Sequence, residues 1–114
     1  MQEKLFLLYG GNTLDDKYVV KLYAHAYRDL DDIYTYIAEI LLESGTALNM
    51  IDELEEAIFS LEHLPERGAI PRIGAYGGGN YHQLFVKNNC IIYRLMKEKK
   101  EVHIVTVRYT PGNF

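Results

Sequence analysis

The chain has 114 residues and a formal net charge of −4, with 48% hydrophobic and 25% charged residues. That is enough for one domain to bury a core without staples, and the balance is that of an ordinary soluble globular protein. The single cysteine, Cys90, excludes an internal disulfide and suits a reducing cytoplasm.

The first apolar run, Leu5 to Tyr9, is too short to span a membrane and lacks the flanks of a secretory signal. Gly10-Gly11-Asn12-Thr13 breaks it. Residues 1–17 are therefore set apart as an N-terminal extension, with a single domain over 18–114. Tyr18 to Tyr23 is β-branched and aromatic and predicts a strand.

A helical pattern follows from Ala24 to Ser44. Ala26, Leu30, Ile33, Ile37 and Leu41 recur at the spacing of one buried helix face. Ser44-Gly45 is read as its end, with Gly supplying a positive backbone angle. Thr46 is read as the cap of a second helix over 47–64, whose stripe is Ala47, Ile51, Leu54, Ile58 and Leu61. So short a link makes the pair an antiparallel hairpin.

Arg67 to Asn80 holds five glycines and one proline in fourteen residues. This is a loop, expected to be mobile around Gly77-Gly78-Gly79. Its glycines precede a strand rather than a helix, which argues against a phosphate-cradling loop.

From Tyr81 to Tyr109 three β-rich runs are separated by Lys87-Asn88-Asn89 and Lys97-Glu98-Lys99-Lys100. Connections this short join antiparallel neighbours. The expected fold is α+β: a helical hairpin packed on one face of a four-stranded antiparallel sheet, in the order β-α-α-β-β-β. Leu30, Ile33, Ile37, Leu54, Ile58, Leu61, Leu84, Val86 and Val105 are its expected core.

Charge is unevenly spread. From Asp29 to Glu66 there are eleven carboxylates and no Lys or Arg, whereas from Arg67 onward eight cations face only Glu98 and Glu101. Such asymmetry points to two surfaces with different partners.

No two histidines stand at a metal-ligand spacing and there is no cysteine pair, so neither a metal nor another cofactor is expected. Cys90 opens an apolar strand and reads as a buried, inert thiol. The remaining chemistry lies with Lys, Arg, Tyr and His near the basic end, residue types that hold phosphates and stabilise developing charge. Arg94, Arg108, His82 and Tyr109 are the candidates for a catalytic role. Alternation puts His82 on the side of Leu84 and Val86, away from Gln83 and Phe85.

Three stretches together resemble the RelE/ParE superfamily of toxins from type II toxin–antitoxin modules. They are Tyr18–Ala38, Leu54–Gly68 and Tyr81–Leu95, followed by Val102–Tyr109. The resemblance implies a toxin with a role in plasmid stabilisation and growth inhibition, a cognate antitoxin as partner, and neither a membrane nor a small-molecule substrate.

RelE-like members cleave messenger RNA on the ribosome without a metal. They use basic side chains on the open sheet face and an Arg early in the strand after the first hairpin. Here Gln83 and Phe85 occupy the outward positions and Cys90 stands where that Arg would be. The resemblance therefore points to ParE-like action on DNA gyrase, without a nuclease site of that kind. The alternatives are a RelE-like messenger RNA endonuclease, and a non-toxic module that binds nucleic acid or an antitoxin. The acidic, Tyr-rich helix face suits a basic antitoxin segment.

Overall fold

The computed structural model describes residues 3–4, 17–71, 74–77 and 79–110. Strand β1 (Glu3–Lys4) is followed by β2 (Val19–Tyr23), α1 (Ala24–Thr35), a π-helical turn (Tyr36–Ile40), α2 (Ser44–Ser60), β3 (Tyr81–Val86), β4 (Asn89–Met96) and β5 (Glu101–Tyr109). The strands lie in the order β1-β2-β5-β4-β3. Four of them form the main sheet, and the two residues of β1 add to its β2 edge. The predicted run Leu5–Tyr9 and the break after it lie outside the described residues.

The α+β architecture is as expected, with both helices packed on one sheet face. One pairing differs: β2 runs parallel to β5, Val19 to Leu22 facing Glu101 to Ile104, so the sheet is mixed. Short turns dictate only the antiparallel meander β3-β4-β5. Between β2 and the meander lies a long connection carrying both helices, which is what a parallel crossover requires.

The helix boundaries also shift. Leu41 donates its amide to the Tyr36 carbonyl at 3.1 Å, a widened turn. That turn rotates Leu41 off the buried stripe to 45% exposure. Leu42, not Gly45, takes the positive φ, at 57°. Ser44 and Gly45 open α2 rather than end α1, and Thr46 donates to the Glu43 carboxylate at 3.0 Å.

The core joins Ile33, Ile37, Leu54, Ile58 and Leu61 from the hairpin region to Val20, Leu22, Leu84, Ile91, Tyr93, Val102, Ile104 and Val107 from the sheet. Leu30 and Val86 pack against it half-buried, while Val105 falls outside it. Ile92 pairs with Thr106 but its neighbour Tyr93 pairs with Ile104, leaving Val105 as an extra residue on β5. This β-bulge inverts the inward parity of the strand, so Val102 and Ile104 point inward before it and Val107 after it.

The chain leaving α2 is pinned to the sheet by Tyr93, whose ring is fully buried. Its hydroxyl donates to the Pro65 carbonyl at 2.8 Å and accepts from the Gly68 amide at 2.9 Å. A Cβ on Gly68 would lie 2.8 Å from the Gln83 carbonyl oxygen and from that hydroxyl. Only glycine allows so close a strand-edge approach.

Candidate functional site

The face of the sheet turned away from the helices carries Tyr81, Arg94, His103 and Lys21 in one cross-strand row, one from each main strand. The Arg94 guanidinium lies over the Tyr81 ring at 5.9 Å. Further along, Arg108 lies over Tyr76 at 5.3 Å and donates to its hydroxyl at 3.4 Å. The Tyr76 and Tyr81 rings meet edge to face at 5.1 Å. The glycine-rich loop is thus held across this face by its own tyrosine.

Arg108 pairs with Cys90, four residues along β4 from Arg94. At about 3.3 Å per residue their backbone positions are roughly 13 Å apart along the strand, and each guanidinium lies over a different ring, Tyr81 or Tyr76. His103 is 7% exposed, and both ring nitrogens are engaged: Nδ1 with the Tyr23 hydroxyl at 3.1 Å and Nε2 with Glu101 at 2.9 Å. Glu101 also pairs with Lys21 at 3.1 Å. The His103 hydrogen bond outweighs the opposing effect of burial and, with a lesser contribution from Lys21, holds the Glu101 carboxyl below its ordinary value.

The other two candidates lie on the helix side. His82 stacks on Tyr93 with ring centroids 5.2 Å apart, and burial pushes its imidazole pKa down. Tyr109 packs against Tyr36 at 5.6 Å. The four candidates are therefore split two and two between the faces. Cys90 is buried, as expected, and burial pushes its thiol pKa up. Among the described residues no cluster of three His, Cys, Asp or Glu could hold a metal, and no helix is long and apolar enough to cross a membrane.

The sequence reading missed Tyr76, Lys21, Tyr23 and Glu101. Tyr76 sits in a loop without periodicity, and the β2 residues reach His103 only through the parallel pairing. No spacing in the chain signals either.

A second feature lies on the helical layer. Leu22, Tyr27, Leu30, Tyr34, Ile51 and Phe59 line an apolar groove of about 400 Å³ between α1 and α2, with Asp31 and Glu55 also lining it. Asp31 and Glu55 come from the acidic stretch Asp29–Glu66, and the rest of the lining is apolar or tyrosine.

A family model described as the ParE toxin of type II toxin–antitoxin system, parDE, matches residues 20–112. The chain belongs to the ParE toxin family. Among solved structures it is similar to a chain of the chromosomal ParDE system from P. aeruginosa. The TM-score is 0.68 at 19% identity, covering 84% of this chain and 99% of that one. It is also similar to a chain of the toxin–antitoxin complex RelBE2 from Mycobacterium tuberculosis. There the TM-score is 0.55 at 21% identity, over 82% of this chain and 98% of the other. A search of curated proteins returns no match. This ParE-family chain thus shares the fold of these neighbours, with Tyr81 and Tyr76 lying under the two arginines of its open face.

Proposed function

We propose that this ParE-family chain is a cytoplasmic toxin that inhibits growth by a ParE-like action on DNA gyrase and serves plasmid stabilisation. Residues 18–114 form the working domain. A cognate antitoxin holds it inactive by laying a basic amphipathic segment into the α1–α2 groove. Apolar walls and carboxylates in one cleft favour such a segment over an acidic one.

The observation that carries the choice of target is the separation of the candidate groups. Metal-free RNA cleavage needs a base, an acid and cations converging on one phosphate. Here the two arginines lie over different tyrosine rings, His103 has both nitrogens engaged, and His82 and Tyr109 pack against Tyr93 and Tyr36 on the helix side. Of these groups Arg94 and His82 share a cavity by the β4–β5 turn, and neither Arg108 nor Tyr109 lines it.

The test uses the purified toxin free of antitoxin in two assays, DNA supercoiling by gyrase and messenger RNA cleavage on translating ribosomes. Inhibited supercoiling with intact messenger RNA is the expected result. Ribosome-dependent cleavage that Arg94→Ala or Arg108→Ala abolishes would overturn it.

A further inference from the structure

A cavity of about 500 Å³ opens between the β4–β5 turn, the loop after α2 and the start of β3. It shares no lining residue with the helical groove, and it holds Arg94 and His82 of the four candidates. Arg94, Lys97 and Lys99 line it together with Glu66 and Glu98, and Ile70, Leu95 and Met96 supply apolar wall.

Three details give it a chemical character. Arg94 is steadied on the Tyr81 ring and has no carboxylate partner among the described residues. Lys97 pairs with Glu66 at 3.0 Å, but the side chains are 63% and 64% exposed, and an exposed pair of this kind exchanges readily for a better anion. His82 lines the wall, and its buried Nδ1 has no hydrogen-bond partner. Burial lowers its pKa, and its ring forms part of the cavity wall.

We propose that this cavity binds a small organic phosphate, with the phosphate on Arg94 and Lys99 and the organic body against Ile70 and Leu95. A phosphate monoester brings up to two charges and three acceptor oxygens, more than a carboxylate can offer to three cations. The volume falls in the range of sites for organic ligands and far exceeds what a bare phosphate fills. As the phosphate enters, it takes Lys97 from Glu66. The molecule is a ligand; no bond is made or broken.

The test titrates the full-length protein with adenosine 5′-monophosphate and, separately, with inorganic phosphate, followed by NMR. Saturable binding of the nucleotide is expected, with a weaker response to inorganic phosphate at the same residues and an upward shift of the His82 imidazole titration. Arg94→Gln should weaken nucleotide binding by roughly tenfold or more. Glu66→Gln should tighten it, an effect that loss of folding cannot mimic. Lys87→Gln, remote from the cavity, should leave it unchanged. Unsaturable shifts spread over the surface lysines would overturn the proposal, as would equal affinity for the two probes. Wild-type affinity in both Arg94→Gln and Glu66→Gln would do the same.

Discussion

The Asp29 carboxylate accepts the Val107 amide hydrogen at 2.9 Å. The same oxygen accepts the Thr106 hydroxyl. β2 covers β5 only as far as Ile104, so from the bulge onward that strand has an open edge. A side chain from α1 closes it, satisfying a donor that a missing strand would have paired. Asp29→Ala is expected to destabilise the fold by about 1–3 kcal/mol, the cost of an unmatched buried donor. Asp29→Asn, which keeps an acceptor oxygen, should lose less. Equal denaturant midpoints for the wild type and Asp29→Ala would refute this role.

The bulge gives a second, paired expectation. Leu54 is fully buried in the core cluster, whereas Val105 stands outside it. Leu54→Ala should cost about 2–5 kcal/mol, and Val105→Ala about 1 kcal/mol or less. Thermal unfolding of the two variants side by side checks this. Comparable losses would mean that Val105 is packed after all.

What could be read from the chain follows how local each cause is. The helix stripes apart from Leu41, the two short turns and the burial of Cys90 depend on neighbours within a few residues, and they agree with the structure. The direction of β2 depends on a strand some eighty residues away, and local periodicity carries no such information. Val105 was misplaced because alternation assumes unbroken parity, and one extra residue inverts it. Leu41 was misplaced for the analogous reason in a helix, a turn one residue too wide. At the site, alternation puts His82 on the side of Leu84 and Val86, whereas the face of Arg94 follows only from the β3–β4 register. The rings beneath the two arginines do not follow from alternation, since Tyr76 arrives from a loop.

Glu101 gives a pH dependence with a definite sign. Its folded-state pKa lies below the unfolded value because His103 and Lys21 favour the carboxylate. The resulting stability is full above the ordinary carboxylate range, around pH 4.3 and upward. It is lost as the pH falls through the lowered folded value. Glu101→Gln should therefore be less stable than the wild type at neutral pH, and the gap should narrow on acidification below about pH 4.3. Denaturation series at several pH values measure it. A gap that is constant down to the acid transition would show that the carboxylate contributes no charge-dependent stability.

The two readings of toxicity part at Arg108. If the open face stabilised charge on a scissile phosphate, this guanidinium would be one of few available donors, and losing one such donor typically costs about 10²–10³ in rate. Growth arrest on induction should then largely disappear in Arg108→Ala. In the structure Arg108 serves a different end, lying on Tyr76 and helping to hold the loop across the sheet. Loss of an exposed contact of that type costs about 0.5–1 kcal/mol, too little to unfold a domain of this size. Under gyrase-directed action, Arg108→Ala is expected to arrest growth as the wild type does, with altered plasmid supercoiling and undegraded messenger RNA. The decisive comparison is induced growth of the two strains at matched toxin levels, with plasmid topology and transcript integrity taken from the same cultures. Relief of growth arrest in Arg108→Ala, together with transcripts cut by the wild type and intact in the variant, would return the open face to catalysis.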